Sequence, residues 1–429
     1  MTLPAGGRSG PRRRRGLGWF GPLAALSVLA AVGYPTAPAG ATGGLTASAP
    51  GVTPTTITIG YPVAETGVAA TTFQDAPAGA MARVAYQNAH GGVDGRKLVL
   101  DVVNDESSPN LVLSSAEDLV SRGVFGVIGF DAFTYMAAPY LHAQGVPVTG
   151  WTVDGLEWGK QPYTNMFDYA GEFDPHFPVN SYDGTFMKSL GVTRLAVLAY
   201  NLSPISTAAA TGFALSAKRA GVAVPYENLS VPFGTSDFSS IALTMKSEHI
   251  NGVYAGMLEG SNIGLLTAIR QAGIPMKGVL LPTGYGEQLV SQPATNQAAQ
   301  GAYFSDYTVP IWDHTAATVA WTKALAKYAP GSYQLGQVPD FGLFGGWITV
   351  DLMIYGLEHA GKNPTRASFE KALDATTDYT GGGLLPGPAN FTHFGQAAPY
   401  GCAVFEKLTG KHFDPVKVCG HILPHSNQN

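Results

Sequence analysis

At 429 residues the chain is too long for one compact core and has the length of two or three domains. Hydrophobic residues make up 45% and charged residues 13%, which excludes a disordered chain, and the 54 Gly and 30 Pro fit many short connections between elements. The formal charge is −5, from 25 Lys and Arg against 30 Asp and Glu.

The first forty residues have the composition of a signal peptide. Arg12 to Arg15 form a basic start, Gly16 to Gly33 supply an apolar run, and Ala39-Gly40-Ala41 is an A-x-A cleavage pattern, so residues 1–41 are expected to be removed. A transmembrane anchor is the alternative, but the run is short and interrupted by Gly and Pro. The Arg pair ahead of Gly16-Leu17 also resembles a twin-arginine signal, which implies export in the folded state. No Cys stands at the cleavage point to carry a lipid anchor. Removal takes away five Arg and no acid, leaving 20 basic against 30 acidic side chains and a net charge of −10 with His neutral. That surface argues against nucleic acid or anionic lipid as partner. Residues 42–54 (TGGLTASAPGVTP) are small and aperiodic, as in a flexible leader.

The fold is expected to begin at Ile57-Thr58-Ile59-Gly60. Strand candidates follow at 98–104 (LVLDVVN), 123–129 (GVFGVIG), 146–150 (VPVTG), 194–200 (RLAVLAY), 252–256 (GVYAG) and 278–282 (GVLLP). Between them helical spacing predicts helices over 75–90, 110–122, 179–190, 206–220, 236–248 and 260–272. The strands are continuous apolar runs, the mark of parallel strands buried on both faces, and repeated β-α-β units give doubly wound α/β sheets. In such sheets ligands bind beyond the carboxyl ends of the strands, so the informative loops are 61–74, 104–109, 130–135, 150–156, 200–206, 256–262 and 283–288. The two cysteines, Cys402 and Cys419, flank two strand-like stretches around Leu408-Thr409-Gly410-Lys411. One close pair in an exported chain suggests a disulfide pinning a hairpin, with two free thiols as the alternative.

Four blocks resemble the periplasmic-type solute-binding proteins of branched-chain amino-acid ABC transporters. They are Gln87-Asn88-Ala89-His90-Gly91-Gly92-Val93-Asp94-Gly95-Arg96-Lys97-Leu98, Asn104-Asp105-Glu106-Ser107-Ser108-Pro109, Leu119-Val120 through Val127-Ile128-Gly129, and Ser236-Asp237-Phe238 through Val253-Tyr254-Ala255-Gly256. Gly91, Gly92 and Gly95 suit a tight exit from a helix into a strand, and Ser236 or Asp237 can cap a helix running to about His249. The resemblance spans about residues 55 to 425. It implies the type I periplasmic binding protein fold, two doubly wound α/β lobes joined by three crossing segments. The crossings are expected near 168–174, 304–308 and 378–385, giving an N-terminal lobe of 55–170 plus 308–378 and a C-terminal lobe of 171–307 plus 379–429.

Catalytic patterns are absent or bare. There is no G-x-S-x-G, H-E-x-x-H or P-loop, Gly284-Tyr285-Gly286 lacks a third glycine, and Ser368-Phe369-Glu370-Lys371 lacks the partners of an S-x-x-K enzyme and reads as an amphipathic helix with Phe369 and Leu373 inward. The ten His show no metal-ligand spacing, and Asp105-Glu106 reads as turn chemistry in an exposed loop. No catalytic residue, metal or cofactor is therefore expected.

The resemblance places ligand-facing stretches at Phe130 to Thr134 (Ala132, Phe133 and Thr134), at Trp151, Thr152 and Asp154, at Ser203, at Met257, Leu258 and Glu259, and at Thr283 and Tyr285. Two positions depart from an amino-acid clamp. Thr283 stands where the acid that pairs with the α-ammonium is expected, and Asp154 stands where a Thr helps to hold the α-carboxylate. A buried carboxylate without a partner costs several kcal/mol. The implied ligand is thus an aromatic, amide or amine compound, or an amino acid in another orientation with Glu259 replacing the lost acid. The implied partners are that small molecule and the membrane subunits of an ABC permease, with the binding protein a monomer. A secreted sensor acting through a receptor, and an enzyme on the same fold, are the other readings.

Overall fold

The computed structural model describes residues 44–152, 155–159, 161–170, 179–393 and 401–424. The expected signal peptide and the first crossing beyond Ala170 lie outside them. Two sheets organise the chain, one per lobe. The first contains β1 (Thr56–Val63), β2 (Lys97–Asn104), β3 (Val127–Gly129), β4 (Val148–Gly150) and β5 (Met166–Asp168), all parallel, in the order β2-β1-β3-β4-β5. A short ribbon, β6 (Val179–Asn180), precedes the second sheet. There β7 (Arg194–Tyr200), β8 (Ala223–Val231), β9 (Gly252–Gly256), β10 (Gly278–Leu281) and β11 (Tyr303–Asp306) run parallel in the order β8-β7-β9-β10-β11. This repeats the pattern of the first sheet, and both are doubly wound with a switch of direction beside the first strand. The hairpin β12 (Cys402–Thr409) and β13 (His412–Cys419) adds antiparallel at the β11 edge, and β14 (Ile422–Leu423) returns to β6.

Helices cover the sheets in the alternation expected. In the first lobe lie α1 (Ala70–Phe73), α2 (Ala76–Ala89), α3 (Pro109–Ser121) and α4 (Ala138–Ala143); in the second lie α5 (Ser181–Ser189), α6 (Pro204–Arg219), α7 (Ser239–Ser247), α8 (Glu259–Gln271), α9 (Glu287–Ser291) and α10 (Pro293–Ala299). The chain then returns to the first lobe as α11 (Ala316–Tyr328), α12 (Phe341–His359) and α13 (Arg366–Asp374). Phe369 and Leu373 of α13 are fully buried, as their spacing predicts.

Helix α12 has no amphipathic stripe, because it is buried between α2 and β4. Its approach to α2 depends on glycine: a Cβ on Gly346 would stand 2.0 Å from the Ala76 carbonyl oxygen. Arg83 of α2 reaches Asp351 of α12 at 2.7 Å and ties the two helices on their far side.

Three expectations change. Residues 44–54 are not a loose tether but lie on the first lobe. Arg96, fully buried, needs acceptors for its guanidinium, and the Thr53 and Thr46 carbonyls supply them together with Lys362 O and Asn363 Oδ1. Residues 378–385 do not cross between lobes. Tyr379 is buried, donates to Asp351 Oδ2 at 3.0 Å and bridges to Ala389, and Phe391 N donates to Thr376 O, so the chain is still on the first lobe there. Asp237 does not cap α7; its Oδ1 accepts from Ser239 N one residue before the helix settles, and Phe238 occupies the cap position.

The cysteines form a disulfide, Cys402–Cys419, joining directly paired residues at the open end of the β12–β13 hairpin, whose turn is Gly410-Lys411.

Candidate functional site

Between the lobes, at the carboxyl ends of β4, β7, β9, β10 and β11, lies a cavity of about 160 Å³. The first lobe contributes Trp151 and Thr152 after β4 and Phe341 at the start of α12. The second contributes Tyr200, Ser203, Ile205, Ser206 and Ala209 from the β7–α6 connection, Tyr254 to Leu258 around the end of β9, Pro282 and Thr283 after β10, and Tyr307 after β11. The location follows from topology: the second sheet reverses its winding between β7 and β9, and the loops leaving those strands must diverge and leave a crevice.

Each lobe presents aromatic surface. Trp151 meets Tyr307 across the cleft at 4.3 Å between ring centroids and Phe341 at 4.9 Å, while Tyr254 lies stacked on Phe213 at 4.2 Å. The lobes also touch through Tyr135, whose hydroxyl donates to Leu202 O at 2.8 Å, through Glu259 N donating to Thr72 Oγ1 at 3.2 Å, and through Phe133 against Phe233 at 4.8 Å. The lobes are therefore closed on one another.

Four hydroxyls of the lining give their hydrogens to protein acceptors. Thr152 Oγ1 donates to Asp168 Oδ2, Ser206 Oγ donates to Gly256 O, Thr283 Oγ1 donates to Met257 O at 2.8 Å, and Tyr307 OH donates to Pro282 O at 3.3 Å. Among the described residues none of the lining carries a charge. Behind the lining stand acids. Asp168 is fully buried and its carboxyl rises to about 6 because burial outweighs the hydrogen bonds from Thr152 and Ala170. Asp183 rises to about 8 through burial alone, and it stands close enough to Tyr254 and Tyr307 to raise both phenols further.

Of the residues expected to face a ligand, Trp151, Thr152, Ser203, Met257, Leu258 and Thr283 come together on the cavity wall. Five others do not. Ala132 and Thr134 are buried beside Asp131, which turns inward and accepts from Ala64 N and Phe133 N, while Phe133 is buried at the lobe contact against Phe233, itself packed on Tyr200 of the lining. Glu259 turns away from the cavity and accepts from Gln288 Nε2 at 2.9 Å. Tyr285 packs on Phe413 at 4.6 Å and borders only a neighbouring void of about 20 Å³. Asp154 lies outside the described residues. Tyr200, Tyr254, Tyr307 and Phe341 were not singled out from sequence by the loop alignment; the position of Tyr200 and Tyr307 at or just past strand ends was the available signal.

Asp105, expected in an exposed loop, is fully buried. Its carboxyl is raised by burial and by Asp131 beside it. Asp306 and Glu406 make a second such pair, on adjacent strands of the second lobe, with both carboxyls raised chiefly by burial. Among the described residues no group of three His, Cys, Asp or Glu could hold a metal ion.

The model of one family, described as periplasmic binding protein, matches residues 56–406. The chain belongs to the periplasmic binding protein family. Over 327 residues this binding protein is 26% identical to Leu/Ile/Val-binding protein homolog 3 of Brucella melitensis, covering 74% of this chain and 83% of that one. It is similar in fold to a fatty acid ABC transporter substrate-binding protein from Thermomonospora curvata, with a TM-score of 0.70 at 19% identity over 89% of this chain and 95% of that one. A solute-binding protein from R. palustris in complex with benzoate gives 0.68 at 17% identity over 85% and 97%. A branched-chain amino acid transporter substrate-binding protein from Streptococcus pneumoniae in complex with isoleucine gives 0.66 at 19% identity over 86% and 99%. As in these structures, the fold is the two-lobed type I arrangement, and the family is one of substrate-binding proteins, not enzymes. Membership in the family implies an exported protein. Among the described residues no helix is long and apolar enough to cross a membrane.

Proposed function

We propose that this protein is the extracytoplasmic solute-binding subunit of an ABC importer, exported through a twin-arginine signal and acting as a monomer that closes two lobes around a small molecule and delivers it to a permease. One observation carries the reading: a cavity at the strand carboxyl ends is walled by both lobes at once, so a ligand completes its contacts only in the closed form. Binding energy then becomes closure, and closure is the form a permease can distinguish.

The wall also supports a ligand outside the standard branched-chain amino acids. Isoleucine, benzoate and a fatty acid all carry a carboxylate. The described lining offers that group no cation, and four of its hydroxyls have given their hydrogens to fixed protein acceptors. Burying a carboxylate there without donors costs several kcal/mol.

A thermal-shift screen of amino acids, aromatic acids, amides and amines, followed by small-angle scattering, tests the function. A ligand at 100 times its dissociation constant raises stability by about 2.7 kcal/mol, and the particle should not expand on binding. A screen in which no member of any class stabilises the protein would remove the binding-protein reading.

A further inference from the structure

Four hydroxyls of the lining are spent as donors, the wall is rich in aromatic faces, and an acid stands behind it; these three features select one kind of ligand. We propose that the cleft takes a compact organic cation, an ammonium or quaternary ammonium head seated between Trp151 of the first lobe and Tyr254 and Tyr307 of the second. The inference rests on the binding-protein reading and names the ligand class for the same cavity.

Hydroxyls whose hydrogens are spent present only lone pairs. The oxygens of Thr152, Ser206, Thr283 and Tyr307 are in that state, held by Asp168, Gly256 O, Met257 O and Pro282 O. Lone pairs repel an anion and attract a cation. Aromatic faces act in the same sense, since the π cloud is negative over the ring, and a desolvated cation near Trp or Tyr is held by it. Tyr254 has one face on Phe213 and lines the cavity as well, and Trp151 spans from Phe341 to Tyr307 across the cleft.

An acid completes the field. Asp168 touches the wall through Thr152, which donates to it from both backbone nitrogen and hydroxyl, and it takes part in no ion pair among the described residues. A bound cation would supply the positive charge that Asp168 lacks. The cavity volume, about 160 Å³, is close to the roughly 150 Å³ that admits one benzene in an engineered protein cavity, so the head group must be small.

Three probes of one shape separate the charges: choline, its uncharged carbon isostere 3,3-dimethyl-1-butanol, and the anion 3,3-dimethylbutanoate, with leucine and benzoate alongside. Titration calorimetry on the full mature chain should show choline binding at least about tenfold tighter than the alcohol, and no binding of the anion. Trp151→Leu and Tyr254→Leu should each weaken choline by about tenfold, whereas Tyr254→Phe, which keeps the ring, should stay within about threefold. Circular dichroism and melting of each variant check that it is folded. Equal or tighter binding of the alcohol, or choline affinity indifferent to both Leu variants, overturns the proposal. Binding of leucine or benzoate with compaction in scattering, while choline is ignored, refutes the cation and leaves the binding-protein reading standing. Failure of every probe and of the broader screen refutes both.

Discussion

Glu259→Gln tests how the closed interface handles charge. Glu259 is the first residue of α8, buried at the junction of the lobes, with Gln288 donating to one oxygen and Thr72 Oγ1 accepting from its backbone nitrogen. Asp75 and Asp340 face it from the first lobe, and none of these acids joins an ion pair among the described residues. Burial, then the charge of Asp75, lifts the Glu259 carboxyl from 4.5 to about 7 against the pull of Gln288. Between those values the folded protein holds a proton that the unfolded chain has lost. Stability contributed by this group is thus complete below about pH 4.5 and declines as pH rises to about 7, at about 1.4 kcal/mol per unit, or about 3 kcal/mol across the window.

Glutamine has the shape of the protonated acid and cannot ionise. It keeps an oxygen for Gln288, so the variant should match the parent near pH 4.5 and exceed it by up to about 3 kcal/mol at pH 8. Urea unfolding at pH 4.5, 6, 7 and 8, read as the difference between the two proteins, isolates this one group from the other buried acids. Parallel curves, with a constant offset at every pH, would refute the assignment of a retained proton to Glu259.

Two further outcomes follow from packing and covalent structure. Cys402→Ser with Cys419→Ser removes a link across a sequence separation of 17, and chemical unfolding should show a loss of about 3 kcal/mol with the sheet otherwise intact. Gly346→Ala drives a methyl group into the Ala76 carbonyl and should destabilise by about 3 kcal/mol, whereas Gly387→Ala, with open space around it, should change the melting temperature little.

The sequence carried those parts of the fold that local physics determines. Apolar runs bounded by Gly placed β2, β7 and β9 within a residue, and helical spacing placed α2, α3 and α8 as closely and α6 within two residues. It overstated β3 and β4, since Val124, Phe125 and Val146 are buried without extending those strands; hydrophobicity reports burial rather than ladder pairing. It was silent on α12, because a helix buried all round has no stripe and the Gly345-Gly346 pair argues against helix until the approach of α2 is known. The site divides in the same way. Trp151, Thr152, Ser203, Met257, Leu258 and Thr283 follow strand ends, where topology alone predicts a crevice. Phe341 reaches the cavity from a helix far along the chain, and no local rule could have brought it there. Ala132 and Thr134 do not line the cavity, since the loop turns on Asp131, which accepts from Ala64 N, and only Phe133 reaches the lobe contact.

The closed form is held by small opposing quantities, and that balance makes a ligand decisive. The Tyr135–Leu202 and Glu259–Thr72 hydrogen bonds contribute about 1 kcal/mol each, and the Phe133–Phe233 and Trp151–Tyr307 ring pairs about as much again. Against them stand Glu259 and Asp340, both crowded by Asp75, whose ionisation favours separation of the lobes. Taking an equilibrium from 1:99 to 99:1 requires about 5.5 kcal/mol of differential binding. A ligand touching Trp151 on one lobe and Tyr254 on the other acquires that difference only on closure, since either wall alone leaves half of it in water. The rigid parts make this possible: the buried acid pairs Asp105–Asp131 and Asp306–Glu406 each lie inside a single lobe, so closure can move the lobes as bodies while these pairs remain together.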